Sequence, residues 1–173
     1  NYLGIDNVLV LRGDAAKNES AFEPEPGGHK YAVDLLRQVV SLNDGIYLEE
    51  ELRDTQKTKF CIGVAGYPEK HFEAPNKETD LLHLKQKVDT GADYIITQMF
   101  FDNKKFFKFV EKAREIFQGP ITVLGGAGAL GDIKNLTDKF KIIGAAAGSL
   151  FVFKGKYRAV LINYTPYNSL FNL

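Results

Sequence analysis

The sequence holds one cysteine, no excess charge of either sign and no long apolar run. The lone cysteine, Cys61, excludes an internal disulfide framework and points to a reducing compartment. Basic and acidic side chains balance at 22 each, which removes the electrostatic argument for nucleic acid or an anionic membrane surface. No apolar stretch approaches the roughly 18 residues of a membrane span, and no secretory signal pattern opens the chain. Metal binding has little support, because His29, His71 and His83 show no ligand spacing. No internal repeat or low-complexity tract occurs. The expectation is a cytoplasmic, soluble chain without a metal. It starts at Asn1 rather than Met, as a trimmed start or a fragment end would.

What is present is an ordinary globular composition, 45% hydrophobic and 25% charged over 173 residues. Five short β-branched runs stand out: 8–11, 60–65, 94–97, 121–124 and 142–147. They are nearly continuous in hydrophobicity, which suits parallel strands covered on both faces. Helical stripes lie between them: Tyr31, Leu35, Val39 and Leu42; Leu81, Leu84, Val88 and Ala92; Phe106, Val110, Ala113 and Phe117. Residues 132–140 make a shorter fourth helix. Thr79-Asp80 and Asp102-Asn103 sit where N-caps begin helices, and Gly91 suits a C-cap.

Strand alternating with helix predicts an α/β fold with parallel strands. A (β/α)8 barrel and an open doubly wound sheet both place their sites at the strands' C-terminal ends, where the polar and glycine-rich clusters fall. The small-residue strand ends favour the barrel. A whole barrel needs about 250 residues, so five strands suggest part of a TIM-type barrel. Segments 15–30 and 44–59 read as polar insertions.

Arg12-Gly13-Asp14 follows the first strand. Glycine there lets backbone approach a ligand, arginine suits phosphate and aspartate suits a polar ring edge. A solvated turn is the simpler account of the tripeptide alone. Tyr67 and His71 leave the second strand in a loop stiffened by Pro68, where they can flank a planar group or simply face solvent. Cys61 reads as core packing. Asp80, His83 and Lys87 share one helix face, a pattern that usually means a solvated surface. Gln98 closes the third strand as a non-titrating amide. Gly125-Gly126 and Gly148-Ser149 follow the last two strands, where many barrels cradle a phosphate, although tight turns alone account for them.

Six ordered blocks change the weight of these features. Leu-Arg-Gly-Asp at 11–14, Tyr-Ala at 31–32 and Val-Ala-Gly-Tyr-Pro-Glu-Lys-His at 64–71 come first. Glu-Ala-Pro-Asn at 73–76, Leu-Lys-Gln-Lys-Val-Asp at 84–89 and Thr-Gln-Met-Phe-Phe-Asp at 97–102 follow. Residues 1 to about 117 thereby resemble the methylenetetrahydrofolate reductases. The resemblance implies a (β/α)8 flavoprotein of one-carbon metabolism. It would use FAD to pass a hydride from NAD(P)H to 5,10-methylenetetrahydrofolate, forming 5-methyltetrahydrofolate. By position, Arg12, Gly13 and Asp14 would contact FAD, with Asp14 near N1 of the isoalloxazine, tuning its redox balance. Tyr31, Ala32, Tyr67, His71, Ala74 and Asp80 would line the cofactor and Lys87 would sit near its phosphates. His83 and Gln86 fall at contact positions that vary in type. Gln98 would be the substrate amide, so Asp14 and Gln98 are the catalytic candidates.

From about Pro120 the likeness changes. Gly125-Gly126-Ala127-Gly128, Gly148-Ser149 and the stretch 151–157 resemble the last two strands of the cyclase subunit of imidazole glycerol phosphate synthase. Gly125, Gly126, Gly148 and Ser149 would then hold a substrate phosphate. This divides the chain into a reductase-like segment, 1–119, carrying strands four to six, and a cyclase-like segment, 120–173, carrying strands seven and eight. A natural, engineered or misassembled join near 117–122 would each produce it. The reductase's substrate-protonating glutamate and the cyclase's two catalytic aspartates have no counterpart in this sequence. The alternatives to a reductase are a cyclase-like lyase and a non-catalytic half-barrel. Unpaired sheet edges and bare apolar faces predict a homo-oligomer.

Overall fold

Five strands stand in the sheet in the order in which they occur in the sequence, every neighbouring pair parallel. They are β1 (Asn7–Val10), β2 (Cys61–Gly66), β3 (Tyr94–Thr97), β4 (Ile121–Leu124) and β5 (Ile143–Ala146). Helices α1 (Ala32–Asn43), α2 (Lys77–Thr90), α3 (Asn103–Ile116) and α4 (Leu130–Lys139) connect them. The computed structural model describes residues 3–15, 17–19, 21–140, 143–155, 159–160 and 162. The expected strand position Ile142 and the sequence stretch 156–157 lie outside them. A short helix α5 (Ser149–Val152) and an antiparallel pair, β6 (Phe153–Lys154) with β7 (Ala159–Val160), complete the described elements.

The strand order settles the architecture. A doubly wound sheet reverses its order at a switch point, where its ligand binds. Here each strand adds to the same side of the last, as along a barrel wall. The fold is α/β, with five parallel strands alternating with helices as in part of a TIM-type barrel. The sheet crosses 117–122 without a break, because β3 pairs β4 through Ile95↔Ile121.

Strand alternation explains where the core lies. Val10, Ile62, Val64, Ile95 and Ile121 point toward the helices and pack with Leu36 of α1, Leu84 of α2, and Ala113 of α3 and Phe117 after it. The opposite residues face the concave side. Leu9 there is 41% exposed, and Tyr94, Ile96 and Leu124 are half-buried. The expectation of cover on both faces therefore holds for the helical face alone. Cys61 corrects a second expectation. It opens β2 on the concave side and is exposed rather than core. The thiol stands at the start of a strand whose partner residue, Asn7, is also exposed, so that end of the sheet leaves it open.

The helix ends follow side-chain capping. Asp102 caps α3 by accepting the N–H groups of Lys104 and Lys105. For α2 the cap is Asn76, three residues ahead of the expected Thr79-Asp80; its Oδ1 accepts the Thr79 N–H at 2.7 Å. Gly91 closes α2 with φ 124°, a region only glycine enters easily. Asn76→Ala is expected to lower stability by about 1 kcal/mol in denaturant unfolding, the usual worth of such a cap. A change of a few tenths or less would show the cap to be idle.

Candidate functional site

The loops after β1 and β2 meet the start of α1 and one face of α2 around a cavity of about 420 Å3. Its lining includes Arg12, Gly13 and Asp14 after β1, Tyr31 and Ala32 at α1, and Tyr67, His71 and Ala74 after β2. Asp80 and Lys87 of α2 complete it, with His83 and Gln86 beside them. The ten residues singled out for a cofactor thus share one wall. Of the stripe Asp80, His83 and Lys87, which reads as solvated in isolation, Asp80 and Lys87 are partly buried against the β2 loop, while His83 stays exposed at the cavity's edge.

Contacts within the site fix its charges. The Arg12 guanidinium is only 16% exposed and lies 2.7 Å from a Glu73 carboxylate oxygen. The centre of the Phe22 ring lies 5.2 Å from it. Phe22 belongs to the 15–30 segment, so that insertion contributes a wall to Arg12 rather than hanging free. Asp80 accepts the His71 backbone N–H at 3.1 Å and so ties α2 to the β2 loop. Lys87 donates from Nζ to the carbonyl of Ala65 and lies 5.9 Å from the centre of the Tyr67 ring. Burial pulls the Lys87 ammonium down to about 8, against the opposing pull of Asp80. Burial, and then the Asp80 charge, push the Tyr67 phenol up.

His71 is held neutral. Burial lowers its pKa more strongly than the Glu73 charge raises it. Its Nδ1 accepts the Glu73 N–H at 3.2 Å, which an imidazolium nitrogen cannot do. The ring meets Tyr67 edge-on at 4.7 Å and stacks on Phe72 at 4.7 Å. An aromatic ledge of this kind offers a flat group a surface without adding charge.

Glu73, Phe22 and Lys70 make contacts at this site that the sequence reading does not single out. Lys70 has φ 89°, a costly conformation for a residue with a Cβ. Its ammonium donates to the carbonyls of His71 and Ala74, which holds the loop closed around that strain. The one sequence signal for Glu73 is its place at the head of Glu-Ala-Pro-Asn, 73–76. Nothing local marks Glu73, 61 positions further along the sequence, as the partner of Arg12.

Other expected positions stand apart from this cavity. Gln98 is exposed on the same rim, one strand further along. Its N–H donates to the Gly66 carbonyl at 2.7 Å, and its Oε1 accepts the Met99 N–H at 3.1 Å. Gly125 and Gly126 both have positive φ, 103° and 77°, and the Gly125 N–H donates to Ala146 at 3.1 Å. Gly148 and Ser149, exposed at the start of α5, follow the neighbouring strand. The structure thus sets the two glycine turns on adjacent strands, away from the cavity that holds Arg12 and Lys87.

The protein-family model described as methylenetetrahydrofolate reductase matches residues 1–144. The chain belongs to the methylenetetrahydrofolate reductase family. The match runs past residue 117, through β4 and α4 and into β5, beyond the limit of the likeness seen in the quoted blocks. Methylenetetrahydrofolate reductase 2 of Saccharomyces cerevisiae is 42% identical over 113 residues, covering 64% of this chain and 17% of that protein. A probable methylenetetrahydrofolate reductase (NADH) of Oryza sativa subsp. japonica is 40% identical over 122 residues, 65% of this chain and 18% of that protein. The chain therefore spans less than a fifth of these reductases. A putative imidazole glycerol phosphate synthase subunit of Vibrio vulnificus is 45% identical over 94 residues, 51% of this chain and 36% of that protein. That share is larger than residues 120–173, so the cyclase likeness reaches back before residue 120 and overlaps the reductase match.

Proposed function

We propose that this chain is the flavin-binding part of a methylenetetrahydrofolate reductase, an FAD-dependent oxidoreductase that uses NAD(P)H. The observation that carries the reading is the convergence of all ten candidate cofactor positions on one cavity in a member of that family. The donor set fits the group. Arg12 and Lys87 supply positive charge for a diphosphate, and the neutral His71 with Tyr67 supplies a flat wall for a ring. Gly13 keeps the loop after β1 free of a side chain; a Cβ there would already touch Phe22 at 3.4 Å.

When bound, FAD would supply the hydride relay between nicotinamide and folate. The chain's own residues bind and orient. Asp14, exposed at the cavity, would place a negative charge beside the ring and disfavour an anionic reduced state. Gln98, one strand away, would present its amide to the substrate side without exchanging protons. The Arg12–Glu73 pair sets the guanidinium, which would exchange part of that contact for phosphate.

The uncovered concave face, with Leu9 at 41% and Leu11 at 50% exposure, supports self-association of the isolated chain. A second reading is a sugar-phosphate site of the cyclase type at Gly125, Gly126, Gly148 and Ser149. The likeness to the Vibrio protein and the paired positive-φ glycines favour it. In this reading the 120–173 segment is the cyclase-like one, joined near 117–122.

A flavin titration tests the main proposal. The purified chain mixed with FAD is expected to quench flavin fluorescence and shift its visible bands, with weaker binding in Asp14→Asn. A chain that is folded by circular dichroism yet leaves the spectrum of free FAD unchanged sinks the proposal.

A further inference from the structure

A second cavity of about 420 Å3 opens between α2 and α3, on the far side of α2 from the flavin candidate. Its floor is apolar: Leu81 and Leu84 of α2, Phe109 of α3, and the turn at Tyr67 and Pro68. Leu84 is 3% exposed, so this floor is continuous with the core. The rim is cationic. Lys77 stands at the start of α2, and Lys105, Lys108 and Lys112 come from α3. The three α3 lysines are spaced i, i+3 and i+7, one stripe of a helix, and that stripe overlooks the hollow. Glu78 and Glu111 also reach the rim, and Ala65, Tyr67, Asp80 and Lys87 form a wall shared with the first cavity.

The lysines are poorly neutralised. Among the described residues no carboxylate lies within 4.0 Å of the Lys77 or Lys108 ammonium. Lys105 is 3.9 Å from both Glu69 and Asp102, at the limit of an ion pair. Lys112 pairs with Glu115 at 2.7 Å, but both side chains are more than half exposed, and such pairs are weak. A stripe of lysines over solvent is ordinary. Set over an apolar hollow of ligand size, it matches a molecule with a flat apolar body and a charged end.

We propose that this cavity binds a small aromatic phosphate of mononucleotide size, at a site separate from the flavin cavity. The ring would lie on Leu84 and Phe109, and the phosphate would take Lys77 and Lys108. The inference does not rest on the flavin reading, since Lys77, Lys108 and Phe109 line only this cavity. The proposed ligand is a free mononucleotide; the nucleotide end of a dinucleotide reaching over from the first cavity is the rival source of the same chemistry.

Adenosine monophosphate, titrated by calorimetry into the intact chain with and without saturating FAD, separates these outcomes. The expected result is saturable binding that FAD leaves in place, that added salt weakens, and that exceeds the binding of adenosine or inorganic phosphate alone. Lys77→Glu with Lys108→Glu is expected to weaken it about tenfold, from two exposed charges reversed beside one dianion. Arg12→Ala, in the other cavity, should leave it unchanged. Both lysines are exposed, so circular dichroism should show the double variant folded. Binding unaffected by the double variant overturns the proposal, as does displacement by FAD or the absence of saturable binding to a folded chain.

Discussion

Phe106→Ala is expected to destabilise the chain by about 3–5 kcal/mol, a large part of what a domain of this size possesses. Phe106 is 2% exposed and sits at the centre of a second core cluster with Val110 and Val123. Its ring stacks on Phe100 at 4.5 Å and meets Phe140 edge-on at 6.1 Å. Phe100 leads into α3 and Phe140 closes α4, so this one ring joins the helices on both sides of β4. Truncation leaves a void that two neighbouring rings cannot both fill, because each is anchored on a different element. Phe107, next in sequence but 40% exposed, is the control. Its alanine variant should lose much less. Urea unfolding of the two variants makes the comparison, and equal losses would show that burial does not govern this cluster.

Lys87→Met should weaken FAD binding by about 10- to 100-fold, the worth of a charged hydrogen bond to a phosphate. The same residue predicts a pH signature. Its folded value of about 8 lies below the ordinary lysine value of 10.5, so the fold disfavours the ammonium. Between those two values the unfolded chain holds more protons than the native one, and stability rises with pH. Methionine carries no proton, so Lys87→Met should lack this rise while keeping most of the side chain's packing. FAD affinity in the parent chain should fall as pH passes about 8, where the ammonium is lost. Flavin titrations at pH 7 and 9, with thermal melts of both proteins over the same range, read the two effects. An affinity that is flat with pH and equal in both proteins would remove Lys87 from the cofactor site.

Much of this was legible in the sequence because it is local. The runs 94–97 and 121–124 are strands to the residue, since β-branched runs bounded by polar turns have few other uses. The stripe Phe106, Val110 and Ala113 became the buried face of α3, as its helical spacing requires. The candidate cofactor positions were legible through family blocks, and their chemistry through residue type. Three features differ from the sequence expectation. Cys61 looks like core, the α2 cap looks like Thr79-Asp80, and Asp80 and Lys87 look solvated as His83 is. Cys61, Asp80 and Lys87 depend on what stands across from them, which neighbours in sequence do not state; the cap is a local choice between Asn76 and Thr79, both good cap residues.

Sequence alone determined the alternation of strand and helix, the glycine and charged residues at strand ends, and membership of a reductase family. Those follow from periodicity, turn chemistry and ordered motif blocks, all readable along one dimension. Only the tertiary structure decided that the strands add in order β1 to β5 rather than around a switch point. It alone placed Glu73 and Phe22 on Arg12, lowered Lys87 by burial, and opened two cavities on opposite sides of α2. Pairing partners, burial and the space between helices are set by which faces meet, and faces meet only when the whole chain has packed.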